Sequence, residues 1–147
     1  MMKNTIFLCA LFLMGMVTTA MAQQVQDGPQ ITFEKEVHDY GKIKQGANGV
    51  VEFTFTNTGN APLILSNAKG SCMCTVPSWP KEPIAPGKSA TLKVKYDTKR
   101  VGAINKSVTI TSNAVNEPTK VIRIKGYVEA PDESGAPVNK TGPAVRM

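Results

Sequence analysis

The feature that most constrains this chain is a repeated alternation of apolar and polar residues with a period of two. In VVEFTFTNTGN (50–60), Val51, Phe53 and Phe55 fall on one face and Glu52, Thr54 and Thr56 on the other. The same pattern places Leu63 with Leu65 in PLILSNAK, and Ala90, Leu92, Val94 and Tyr96 opposite Lys93 and Lys95 in SATLKVKYD. Val108 and Ile110 alternate with threonines in KSVTITSN, and Ile122 and Ile124 with Arg123 and Lys125 in KVIRIKGYV. Successive side chains of a strand point to opposite faces, so each stretch is a half-buried strand. ITFEKEVHDYGKI adds one long, broken edge strand. Thr58-Gly59-Asn60 has the residues of a turn, and Pro86-Gly87 has those of a type II turn just before a strand.

With the segment around the cysteines, these make six or seven short strands, and no stretch has a convincing helical period. Strands with one polar face form antiparallel sheets that are wet on one side. Two such sheets bury their apolar faces against each other, so the predicted fold is an all-β sandwich. Lys106 fits poorly, because it shares the parity of Val108 and Ile110. A bulge, or a place at the strand's rim, would reconcile it.

The two ends of the chain read differently. Lys3, an apolar run from Ile6 to Val17 and then Ala20-Met21-Ala22 have the form of a secretory signal peptide over residues 1–22. The run is too short to cross a bilayer. Cys9 lies inside it without the small residues that a lipid-attachment site places before its cysteine. Export would leave 147 less 22, or 125, residues with Cys72 and Cys74, Met73 and Met147, and a net charge lowered from +6 to +5 by loss of Lys3. The expected location is the periplasm or the cell surface, with no transmembrane segment in the mature chain. Residues 23–30 are read as a flexible leader, 31–130 as the sandwich and 131–147 as a disordered tail.

Four phrases, FTFTNTGNAPLIL, SCMCTVP, PIAPGKSATLKVKYD and ITSNAVNEP, occur in that order. Together they resemble domain of unknown function 1573, a bacterial family of exported proteins. It is similar in turn to the immunoglobulin-like domains of the major sperm protein and of the Aspm, SPD-2 and hydin group. The resemblance runs from about His38 to Val128. It implies an immunoglobulin-like β-sandwich of about seven strands, no established activity, and action by binding other proteins, often along a sheet edge. No cysteine pair brackets a tryptophan as in antibody domains.

GSCMCTVPSWP (70–80) holds the chemistry-bearing residues. In an extended strand Cys72 and Cys74 would share a face about 6.6 Å apart, too far for a disulfide, so a bridge requires a turn or bulge at Met73. Three alternatives stand: a local disulfide, unpaired thiols packed as small apolar groups, or metal and redox work. Two thiolates and the Met73 thioether are soft ligands suited to Cu(I). Zinc wants four donors, and only His38 joins the two cysteines. The spacing is not the C-x-x-C of thiol–disulfide catalysts. Met73 and Trp79 are candidate partner contacts, Trp79 being either a plug at one end of the sandwich or an exposed loop residue. His38 and Asp39 are neighbours on a strand and so face opposite ways, which argues against an acid–base pair.

No catalytic residues are assigned. The chain has no G-x-S-x-G elbow, phosphate loop or H-E-x-x-H. Its carboxylates Glu34, Glu36, Glu52 and Glu82 lie on separate segments without recognisable pairing. No cofactor is expected. The basic stretch KVKYDTKR (93–100) has one tyrosine and no aromatic ladder for bases, so nucleic acid is not expected either. The partner to expect is another protein, met by a non-catalytic module.

Overall fold

A computed structural model describes residues 27–132, so the signal peptide expected over residues 1–22 lies outside the described residues, as does most of the expected tail. Eight strands follow in order: β1 Ile31–Phe33, β2 Val37–Lys44, β3 Val50–Asn57, β4 Leu65–Gly70, β5 Thr75–Ser78, β6 Ser89–Tyr96, β7 Gly102–Ser112 and β8 Thr119–Glu129. They form two four-stranded sheets, ordered β1-β3-β6-β5 and β2-β8-β7-β4. This is the all-β sandwich that the alternation requires, of the immunoglobulin-like kind that the family resemblance implies, with eight strands where about seven were expected.

The core is the set of inward positions. Val51 pairs with Val94, Phe53 with Leu92 and Phe55 with Ala90 across β3 and β6. Phe53 and Phe55 are wholly buried, and Phe33 packs on Phe55 with ring centroids 5.3 Å apart. The facing sheet contributes Leu65, Ile104, Val108, Ile110, Ile122, Ile124 and Val128. Burying each such side chain contributes about 1.5–3 kcal/mol. Lys106 is half-buried in an unbroken β7–β8 register, so there is no bulge. The β4–β7 register ends at Gly70 opposite Val108 and Ser71 still bonds Ser107, so Lys106 sits just beyond that contact, at a rim.

The first strand breaks where it changes sheets. β1 pairs antiparallel with β3, and after Glu34–Glu36 the chain enters the other sheet, where β2 runs parallel to β8. That one parallel pair arises because β2 arrives by a sheet crossing rather than through a hairpin. The register shifts between Asp39 and Lys42, around Gly41 at φ 61°.

One end of the sandwich is tied together by asparagines. Wholly buried Asn57 donates from Nδ2 to the carbonyls of Ala61 (2.7 Å) and Ile84 (2.9 Å). Its Oδ1 accepts from the amides of Gly59 (3.0 Å) and Gln30 (3.3 Å). Asn116 clasps Ile31 through both its amide and its carbonyl, and Asn113 bonds Ile64 and Pro62. The Pro86-Gly87 turn closes with Lys88 N–H on the Ala85 carbonyl at 3.1 Å, Gly87 taking φ 75°. Residues 27–30, expected to be part of a loose leader, are instead tied to this end. The Gly28 amide donates to Asn60 Oδ1, the Gly28 carbonyl accepts from Asn60, and the Pro29 carbonyl accepts from Val115.

Candidate functional site

The opposite end of the sandwich carries the cysteines, and its geometry follows from a sharp corner between the sheets. β4 ends at Gly70, where a Cβ would collide with the Thr75 carbonyl, so only glycine allows the chain to double back. Ser71 continues the pairing with β7: its amide donates to the Ser107 carbonyl, and its Oγ accepts from the Ser107 amide at 3.1 Å. Residues 72–75 then form a turn closed by Thr75 N–H on the Cys72 carbonyl at 3.2 Å. β5 leaves the turn in the other sheet, paired with β6.

This turn does what an extended strand cannot. The Cα atoms of Cys72 and Cys74 are 5.2 Å apart, and their sulfurs meet as a close pair. That spacing lies in the range that a disulfide uses. Cys74 is 5% exposed and belongs to the core, Cys72 is half-buried against it, and Met73 at the tip is 98% exposed. The buried Thr75 hydroxyl lies 3.6 Å from the Cys72 sulfur and 3.8 Å from that of Cys74.

Trp79 lies just past the end of β5. Its ring packs half-buried on the core, its indole N–H donates to the Leu65 carbonyl at 3.2 Å, and the Lys81 ammonium sits 3.1 Å from the ring centroid. It links the strand edges of the two sheets, β5 to β4, under a cation–π lid. Met73 and Trp79 therefore have different surroundings, one at an open tip and the other packed and capped.

His38 lies on β2, at the far edge of its sheet from β4 and the cysteine corner. Its ring meets Tyr40 edge-on with centroids 4.6 Å apart, and its Nδ1 is 3.5 Å from the Lys35 ammonium. Burial first, and then the Lys35 charge, hold its pKa below the usual value, partly offset by Asp39. Asp39 turns to the Gly41 amide (2.8 Å) and Lys125 (3.4 Å) rather than forming a pair with the imidazole. Tyr40 donates to the Gly49 carbonyl at 2.8 Å, and its hydroxyl is pushed up to about 12, mainly by burial. Among the described residues no three His, Cys, Asp or Glu side chains gather to hold a metal ion.

A cavity of about 650 Å³ opens beside the cysteine turn. Three segments wall it: Gly46–Val50, Met73–Val76 without Thr75, and Lys95–Lys99. Val50 and Val76 both lie opposite Lys95, so these three form one row on the outer face of the sheet. Val50 is 43% and Val76 58% exposed. Sequence reasoning passed over both valines, although Val50 carries a legible signal. Val50 is apolar yet shares the outward parity of Glu52 and Thr54. The convergence of the three segments has no such signal, because it depends on register and loop closure.

A family model described as protein of unknown function (DUF1573) matches residues 31–128. The chain belongs to this family. No curated protein matches the sequence. Among solved structures, a protein of unknown function from Porphyromonas gingivalis W83 is 19% identical with a TM-score of 0.61, over 72% of this chain and 50% of that one. The ASH/PapD-like domain 7 of human CEP192 is 10% identical with a TM-score of 0.56, over 70% of this chain and 87% of that one. VesC, a secreted serine protease from Vibrio cholerae, is 18% identical with a TM-score of 0.53, over 72% of this chain and 24% of that one. The chain thus spans half of the Porphyromonas protein and about a quarter of VesC. At these identities the likeness is one of fold. Among the described residues no helix is long and apolar enough to cross a membrane.

Proposed function

We propose that this chain is an exported, non-catalytic immunoglobulin-like module that binds or assembles with other proteins at the periplasm or cell surface. The observation that carries the proposal is the corner where Val50, Met73 and Val76 stand exposed around one cavity. Single exposed apolar residues are ordinary, but several converging on a concave site mark contact surfaces. The signal-peptide pattern of residues 1–22 supports export, and the filled sandwich core supports action by the exterior. Residue-specific photo-crosslinking from position 73 in the native compartment, read by mass spectrometry, should yield one specific partner. Recovery of only abundant bystanders, with the same set from a position on the opposite sheet, would refute the proposal.

The meeting of the two sulfurs favours a second reading, that Cys72 and Cys74 form a local disulfide in the exported protein. A thiol- or Cu(I)-handling role then belongs to the reduced form, with Cys72 the less buried cysteine. Thiol counting on protein from its own compartment should find none before reduction and two after. Anaerobic titration of the reduced protein with Cu(I) tests the ligand role, which requires saturable one-to-one binding lost in Cys72→Ser.

A further inference from the structure

We propose that the cavity beside the cysteine turn is a docking site for an extended acidic peptide segment. One apolar side chain of that segment enters between Val50, Met73 and Val76, and its carboxylates face Lys95 and Lys99. The proposal rests on the protein-binding reading and names the surface and the partner chemistry.

Three observations support it. First, the cavity is built rather than incidental. The Gly46 amide donates to the Thr98 carbonyl at 3.1 Å, and Thr98 Oγ1 donates to the Ala47 carbonyl at 2.6 Å. The Tyr96 amide donates to Gly49, and the Asp97 amide to Cys74, both at 2.9 Å. Gly49 is packed so closely on the Tyr96 carbonyl that no side chain fits there. Walls stitched in this way need little ordering when a ligand arrives. The volume, about 650 Å³, lies within the usual range of ligand sites.

Second, the local charge is positive and unanswered. Asp97 is occupied within its own turn, accepting from the Lys99 amide at 3.1 Å and lying 3.7 Å from the Arg100 guanidinium. Lys93 pairs with Glu52 at 3.1 Å. Among the described residues the ammonium groups of Lys95 and Lys99 have no carboxylate partner. A bound acidic segment would supply one.

Third, the apolar contacts are spaced for an extended chain. Val50 and Val76 flank Lys95 on neighbouring strands, so they stand about 9.6 Å apart, two inter-strand spacings. An extended segment covers that distance in about three residues.

The test uses the exported chain from Gln23 to Met147, in which Met73 and Met147 are the only methionines. Labelling the methionine methyls with carbon-13 gives two resonances, assigned through Met73→Leu. The probe is a short capped peptide with one leucine among aspartates and glutamates. Controls replace the acids by their amides, or the leucine by glycine. The Met73 methyl should shift saturably with the probe, and each control should bind about tenfold more weakly. Lys95→Glu with Lys99→Glu, and separately Val76→Asp, should weaken the probe equally while leaving the far-ultraviolet dichroism unchanged. A motionless Met73 methyl at millimolar probe, equal binding of the amide control, or undiminished binding by either variant would overturn the proposal. So would N-acetylaspartate binding as tightly as the peptide. The two readings fail separately. If Val76→Asp retains the partner crosslinked in the native compartment, the cavity is wrong and the module stands. If the probe binds but no partner is ever crosslinked, the module reading falls and the cavity stands.

Discussion

Replacing Asn57 by alanine should destabilise this protein by about 3 kcal/mol, although the residue is polar and distant from the cysteine corner. Its amide makes four hydrogen bonds from a wholly buried position, to the Ala61 and Ile84 carbonyls and the Gly59 and Gln30 amides. A buried hydrogen bond contributes about 1 kcal/mol net, and a buried group left without a partner costs about 1–3. The Ile84 carbonyl still accepts from Leu63 at 2.9 Å, and the 3.3 Å bond to Gln30 is weak, so the four do not count equally. The Ala61 carbonyl and the Gly59 amide bear most of the loss, which gives an estimate of about 3 kcal/mol. For a domain of this size that lowers Tm by roughly 12–24 °C. Urea denaturation of wild type and variant measures the difference, with the slope expected to be unchanged. Hydrogen exchange should show the Gly59 amide losing protection first. Asn57→Asp should be at least as harmful, since it keeps the acceptor, removes both donor bonds and buries a charge. A loss below about 1 kcal/mol, or an Asn57→Asp variant as stable as wild type, would refute the view that this side chain organises its end of the sandwich.

Three further outcomes follow from the corner and from β2. Gly70→Ala should cost about 1–3 kcal/mol, because the added Cβ meets the Thr75 carbonyl; a neutral result in thermal unfolding would mean that the corner relaxes freely. If Cys72 and Cys74 are bridged, reduction should cost no more than about 1.5 kcal/mol, since so short a loop restrains the unfolded chain little. The far-ultraviolet spectrum should persist, and unfolding on reduction would contradict the loop argument. Tyr40, pushed up to about 12, keeps its proton in the fold after an unfolded tyrosine has lost it near pH 10. The unfolded state then binds fewer protons, so stability falls as pH rises between those values. Denaturation midpoints measured from pH 9 to about 11.5 should fall more steeply for wild type than for Tyr40→Phe, and identical slopes would count against it.

The alternating faces were legible because each is a local pattern with one structural solution, whereas the work of the asparagines appears only in the structure. Asn57, Asn113 and Asn116 occupy the turn-rich motifs that carry the family resemblance, and their bonds account for the need for asparagine there. These motifs therefore explain the fold rather than an activity. The candidate site was legible only at its tip. Cys72, Met73 and Cys74 stand out by residue type, and strand spacing showed that a bridge between the cysteines needs a turn or bulge at Met73. Trp79 could not be settled from sequence, because its packing depends on the Leu65 carbonyl and on Lys81, fourteen residues before it and two after.

By itself the sequence determined which side of each strand faces inward, since a period of two assigns Phe53, Leu92, Ile110 and Ile122 to the core whichever strands become neighbours. It also made a turn or bulge at Met73 the condition for any bridge between Cys72 and Cys74. Only the tertiary structure decided that β2 would run parallel to β8, and that Val50, Lys95 and Val76 would share a row beside Met73. Burial of apolar surface is read from one residue and its parity. Strand order and the convergence of residues 46–50, 73–76 and 95–99 depend on pairing between distant segments, which no local pattern encodes.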